Sequence, residues 1–135
     1  MSLIYFKVEK LVRDNIPSRL DVKKIGYDMR VMETQEYVRQ LKAKLIEEAH
    51  EVAQAQSEQE LIEELADVLE VIQSLMHAQG VDAAPVEERR MNKRTTHGGF
   101  DKRLYCSTVY GHEDNPELQY YKDKPDQYLE IKKSL

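Results

Sequence analysis

The chain has 135 residues and one cysteine, enough length for a single domain of ordinary size, and too few thiols for an internal disulfide or a cysteine-based zinc cluster. Lys and Arg number 20 against 25 Asp and Glu, a formal charge of −5, which favours solubility and argues against a general nucleic-acid surface. No apolar run approaches the roughly 18 residues that span a bilayer, and Met1 to Lys7 lacks a basic stretch followed by an apolar core, so the expectation is a cytoplasmic protein with no membrane segment.

In chain order, the apolar pair Leu11-Val12 leads through Arg13, Asp14 and Asn15 to Pro17, a residue suited to a first helical turn. A short helix is expected to about Lys24, stopped by Gly26. Tyr27, Met29 and Val31 then alternate with polar neighbours, the pattern of a short strand or an extended connector.

Thr34 is a fair N-cap for a long amphipathic helix through about Gln56, in which Tyr37, Val38, Leu41, Leu45, Ala49 and Val52 recur at intervals of three and four. Ser57 and Glu60 have capping-box spacing, and Leu61, Leu65, Val68, Leu69, Ile72, Leu75 and Met76 form a second stripe that Gly80 should end. With so short a joint between them, the two helices are expected to fold back as an antiparallel hairpin. Pro85 can open a third helix to about Thr96, which Gly98-Gly99 must break. Leu104 to Tyr110 has the Tyr, Val and Thr content of a strand, and the stretch to Gln127, with Pro116 and Pro125, reads as irregular. The fold class is all-α, with a domain over residues 1–105 and a C-terminal extension over 106–135 packed on its own domain or a neighbouring subunit.

The chemistry lies in the two long helices. At 100° per residue Glu48 falls inside the apolar stripe of Leu41, Leu45 and Val52, with Lys44 and Glu51 along one edge. A carboxylate there is costly unless it is paired or holds a metal. On the next helix Glu64, Asp67 and Val71 share one flank of the stripe. If the stripes pack together, the two acidic edges meet and offer a hard, oxygen-only site of the kind Mg²⁺ prefers when substrate phosphates complete its shell. An isolated acidic helix would more often simply expose Glu47, Glu48, Glu51, Glu63, Glu64 and Asp67 to solvent; the angular position of Glu48 and the pairing of two such edges favour the site.

Glu47-Glu48-Ala49-His50-Glu51, twelve intervening residues and Glu64-Leu65-Ala66-Asp67 resemble the EExxE…ExxD pattern of the MazG-like all-α nucleotide pyrophosphohydrolases. Lys10 to Pro17 (KLVRDNIP) resembles the KLVRDKIP opening of a branch labelled phosphoribosyl-ATP pyrophosphohydrolase-like, and Gly98-Gly99-Phe100 its RGGF segment. Asn15 stands where that branch commonly has Lys, and His97 where it commonly has Arg. The likeness covers about residues 8 to 105.

The resemblance implies Glu48, Glu51, Glu64 and Asp67 as ligands to Mg²⁺, with Mn²⁺ as a substitute. Glu47 and Glu51 are the catalytic candidates, Glu47 either as a partner of the ligands or as the base that activates water. Arg13 first, then Lys44, with Lys10, Lys93 and Arg94, and Lys102 beyond them, are the supply of cations for the phosphates. The reaction implied is housekeeping hydrolysis of an ordinary or damaged nucleoside triphosphate to a monophosphate and pyrophosphate. The rivals are phosphoribosyl-ATP pyrophosphohydrolase of histidine biosynthesis and a non-catalytic helical interaction module. Two helices alone cannot bury both stripes, so a homodimer or higher homo-oligomer is expected. His50, His77, His97 and His112 read as surface residues, Cys106 as a small packed residue, and Tyr120 and Tyr121 as anchors for the tail.

Overall fold

The computed structural model describes residues 1–132, and every regular element among them is helical. Helix α1 spans Ile16–Val22, α2 Thr34–Gln54, α3 Glu58–Gln79, α4 Ala83–His97 and α5 Gln119–Lys122, with a 3₁₀ turn at Pro116–Leu118 leading into α5. The chain forms two compact units, Met1–Thr96 and the residues from His97 onward.

In the first unit α2 and α3 pack along their lengths as an antiparallel hairpin joined by residues 55–57. The joint is short because both helix ends are well defined. Ser57 caps α3, its hydroxyl accepting from the Glu60 amide at 3.1 Å. Glu60 reaches back to accept from the Gln56 amide at 2.9 Å, one residue earlier than in the usual reciprocal box. At the far end Gly80 takes the left-handed conformation (φ 65°), which lets its amide and that of Val81 satisfy the last carbonyls of the helix. α2 begins one residue before its expected start, with Glu33 in the capping position and Thr34 already helical.

The facing surfaces differ from the expected stripes on both helices. On α2 the buried positions are Val38, Leu41 and Glu48, as the periodicity indicates, while Ala49 is exposed. On α3 the residue most deeply covered is Val71, and Leu61, Leu65 and Leu69 are exposed. The helix is thus rotated so that the flank carrying Glu64, Asp67 and Val71 faces its partner. The apolar surface of α3 is wider than one neighbouring helix can cover, so one edge must lie outside the hairpin.

α1 is shorter than expected. It ends at Val22, and Lys24 rather than Gly26 adopts the left-handed turn (φ 59°). Residues 25–33 form an extended connector without strand pairing, and α4 opens two residues before Pro85.

In the second unit the strand content of Leu104 to Tyr110 is not realised: no strand occurs among the described residues, since an extended segment needs a partner edge for its amides. Cys106 is exposed rather than packed, its thiol directed at the Thr108 carbonyl at 3.6 Å. Tyr120, Tyr121 and Tyr128 form an aromatic cluster with centroids 5.0 to 6.0 Å apart, and the Lys124 ammonium lies 3.9 Å from the Tyr120 ring centre. These rings anchor the short helix α5 within its own unit.

Candidate metal centre and active site

The rotation of α3 decides what faces α2. Three and four residue steps place Glu64, Asp67 and Val71 on one line, and that line lies against the line of Leu41, Lys44 and Glu48. Carboxylate oxygens of Glu48, Glu64 and Asp67 all come within 4.8 Å of one another. Glu48 is only 8% exposed, while Glu64 and Asp67 are half-buried.

Three carboxylates gathered this way repel each other. The Glu64 carboxyl is pushed above its ordinary value of 4.5, first by loss of hydration, then by the charges of Asp67, Glu48 and Glu51, and by a hydrogen bond shared with Glu48. A divalent cation would reverse that repulsion, and an all-oxygen donor set on two rigid helices fits Mg²⁺ or Mn²⁺.

Glu51 is not in the converging trio. It lies almost one helical turn beyond Glu48 and is exposed, lining a depression of about 390 Å³ with Gln54, Ala55, Glu60 and Glu64. Its charge still acts on Glu64, so it belongs to the rim of the same acidic field.

Glu47 has a different environment. Lys10 Nζ donates to its Oε1 at 3.0 Å and Lys44 Nζ to its Oε2 at 3.5 Å. The Lys10 hydrogen bond is the main reason its carboxyl lies below the usual value, with partial burial opposing and the Lys44 charge assisting. Lys44 also stands 3.8 Å from Glu48, which gives the buried carboxylate a cation on its own helix.

The basic candidates therefore divide. Lys10, Arg13 and Lys44 lie at the acidic centre, where Arg13 Nη2 contacts Asp67 Oδ1 at 2.6 Å. Lys93 and Arg94 are exposed on α4, and that helix does not pack extensively on α2 or α3. His50 is exposed on α2, away from the face that carries Glu48.

The sequence of residues 25–32 suggests a short strand or an extended connector and gives no sign of a cavity wall. Met29, Arg30 and Val31 line an open cavity of about 310 Å³ together with Val12, Arg13, Asp14 and Pro17, so one wall of it is the residue that also touches Asp67. The alternation of Tyr27, Met29 and Val31 was a signal for one-sided packing, but nothing in it identified the opposite wall.

Neither a curated protein nor a solved structure matches the chain. The family model described as phosphoribosyl-ATP pyrophosphohydrolase matches residues 4–94, which include the N-terminal segment, the whole α2–α3 hairpin and most of α4. Extending over more than half of the sequence and all of the acidic centre, that match means the chain belongs to the phosphoribosyl-ATP pyrophosphohydrolase family, within the MazG-like all-α superfamily of nucleotide pyrophosphohydrolases.

Proposed function

We propose that the protein hydrolyses a nucleoside triphosphate, ordinary or damaged, at the bond between the α- and β-phosphates, releasing a monophosphate and pyrophosphate. The observation that carries this reading is the convergence of Glu48, Glu64 and Asp67 across the α2–α3 interface with one of the three nearly fully buried. Even with Lys44 beside it, a buried acid contributes less to stability at this position than an apolar side chain would.

Glu48, Glu64 and Asp67, joined by Glu51 from the rim, would hold Mg²⁺ or Mn²⁺. When bound, the cation supplies charge neutralisation of the triphosphate, polarisation of the α-phosphoryl group and a lower pKa for an attacking water. Lys44 sets the field at Glu48 and Glu47 from the same helix. Lys10 and Arg13 are the cations close enough to meet the β- and γ-phosphates once these enter, and a guanidinium suits phosphate through its paired donors. Lys93 and Arg94 remain candidates only for the outer end of a long substrate.

Glu47 and Glu51 are the two candidates to accept the proton of the attacking water. With Lys10 bound, the depressed Glu47 carboxyl is a poor base. Glu51, beside Glu64 at the rim, is the alternative, and Glu47 becomes available once Lys10 leaves it.

We also propose that the working unit is a homo-oligomer, with a dimer as the minimum. Among the described residues the buried apolar side chains are Val38, Leu41 and Val71, a small core for this length. Leu61, Ile62, Leu65 and Leu69 are exposed along the outer side of α3. A second copy presents the same edge, and a two-fold axis lets each cover the other. A cytoplasmic setting agrees with the lone cysteine, and no helix among the described residues is long and apolar enough to cross a membrane.

The test is pyrophosphate release from a panel of nucleoside triphosphates and phosphoribosyl-ATP, with and without Mg²⁺, for wild type and Glu51→Gln. Metal-dependent release from triphosphates, abolished by the substitution, is the expected result. Release from phosphoribosyl-ATP alone would transfer the assignment to histidine biosynthesis, and no release from any of them would favour a non-catalytic helical module.

A further inference from the structure

Two cations of the N-terminal segment, Lys10 and Arg13, sit on carboxylates. Arg13 Nη2 lies 2.6 Å from Asp67 Oδ1, and Lys10 Nζ lies 3.0 Å from Glu47 Oε1, so a segment with no helix of its own is tied to both helices of the hairpin. The two ties are not equivalent. Asp67 is one of the three converging carboxylates, whereas Glu47 lies outside them.

We propose that Arg13 is an internal competitor at the acidic centre: it neutralises Asp67 while no divalent cation is held, releases it when one binds, and turns to the phosphate of the incoming nucleotide. The proposal rests on the metal-centre reading above. A guanidinium and a divalent cation at one carboxylate repel each other, so each weakens the other's hold on Asp67 by the same factor. Arg13 and Asp67 are 60% and 37% exposed at their side chains, so water can replace the pair without stranding a charge in the interior. A guanidinium carries paired donors arranged for an oxyanion. Phosphate therefore removes the antagonism, because it gives the displaced guanidinium a partner beside the metal-bearing carboxylates. The segment would disfavour a metal-loaded site without nucleotide and favour one with it.

Lys10 provides the control, since it has the same charge and lies on the same segment but neutralises a carboxylate outside the trio. Mn²⁺ binding to the full-length protein, followed by the loss of the free-ion magnetic resonance signal, would be measured for wild type, Arg13→Gln, Arg13→Lys and Lys10→Gln. Circular dichroism would verify that each variant is folded. Arg13→Gln should tighten Mn²⁺ binding by about fivefold or more, the lower end of ordinary coupling between sites. Lys10→Gln should tighten it by less than about twofold, through the general field alone. Arg13→Lys should fall between wild type and Arg13→Gln. In wild type, Mn²⁺ should also raise hydrogen exchange across residues 9–15. Equal tightening by Arg13→Gln and Lys10→Gln, or none by either, would overturn the competition while leaving the metal centre in place. Absence of Mn²⁺ binding by all four proteins would overturn both readings.

Discussion

The two long edges of α3 invert the usual relation between burial and polarity. One edge carries Glu64 and Asp67 against α2, and the other turns Leu61, Leu65 and Leu69 to solvent. A helix selected only for the stability of this hairpin would have the opposite orientation. On the proposed reading, the acidic edge faces inward to hold a cation, and the leucine edge faces outward to meet a second copy. That reading divides one helix lengthwise between function and assembly.

The strongest way to break this comparison is to disable the acidic edge alone. Asp67→Asn preserves shape and removes one negative charge from the trio, so pyrophosphate release should fall at least about a hundredfold, as with other losses around a metal centre. Unchanged helix content by circular dichroism would locate the defect in the site. A fall of less than about tenfold would remove Asp67 from the ligand set.

The leucine edge should respond in the opposite sense. If Leu65 stayed exposed in the working molecule, Leu65→Asp would change stability by no more than about 0.5 kcal/mol. If a second copy covers it, the substitution should dissociate the assembly and cost about 2 kcal/mol or more. Light scattering during gel filtration, together with urea unfolding at matched concentration, separates these results.

A smaller effect sharpens the account of Glu64. Its carboxyl is raised above 4.5 in the folded protein, so the folded state holds that proton more tightly than the unfolded chain. Metal-free stability from this group is therefore greatest at low pH and is lost as pH rises through the window above 4.5. The melting temperature of Glu64→Gln minus that of wild type should grow across that window, and a flat difference would contradict the crowding of the trio. Glu47 contributes in the other direction. Its carboxyl is depressed, so its ion-pair stabilisation is present above 4.5 and disappears as pH falls below that value.

The smallest effect should not discriminate between the edges. Ser57→Ala removes the hydroxyl that caps α3, at a cost of about 1 kcal/mol, and leaves both edges in place. Metal affinity per folded molecule should be unchanged, which equilibrium unfolding and Mn²⁺ titration would establish together.

Much of the hairpin was legible in the sequence because its signals are local. Leu41, Leu45, Glu48 and Val52 share a face through helical geometry alone, and Ser57 and Gly80 act within a few residues of their own positions. The rotation of α3 was not legible. Val71 and Leu65 are equally apolar, and only the presence of α2 on one side distinguishes covered from uncovered. The ties from Lys10 to Glu47 and Arg13 to Asp67 join residues 37 and 54 positions apart, beyond any periodicity. Residue type made both cations candidates for phosphate, but their carboxylate partners required the fold. Leu104 to Tyr110 illustrates the converse, since strand propensity without a partner edge produces no strand.

The central claim is that the inward acidic edge is a cation site, and the most direct test is thermal unfolding of wild type and Glu64→Gln with and without Mg²⁺. Removing one of three crowded carboxylates should make the metal-free variant more stable than wild type at neutral pH. Saturating Mg²⁺ should reverse the order, because an ion at about a hundred times its dissociation constant stabilises the wild-type fold by about 2.7 kcal/mol and the variant by less. A crossing of the two proteins on adding Mg²⁺ is the predicted result; a variant that is less stable in both conditions, or a wild type indifferent to Mg²⁺ and Mn²⁺, would contradict the account.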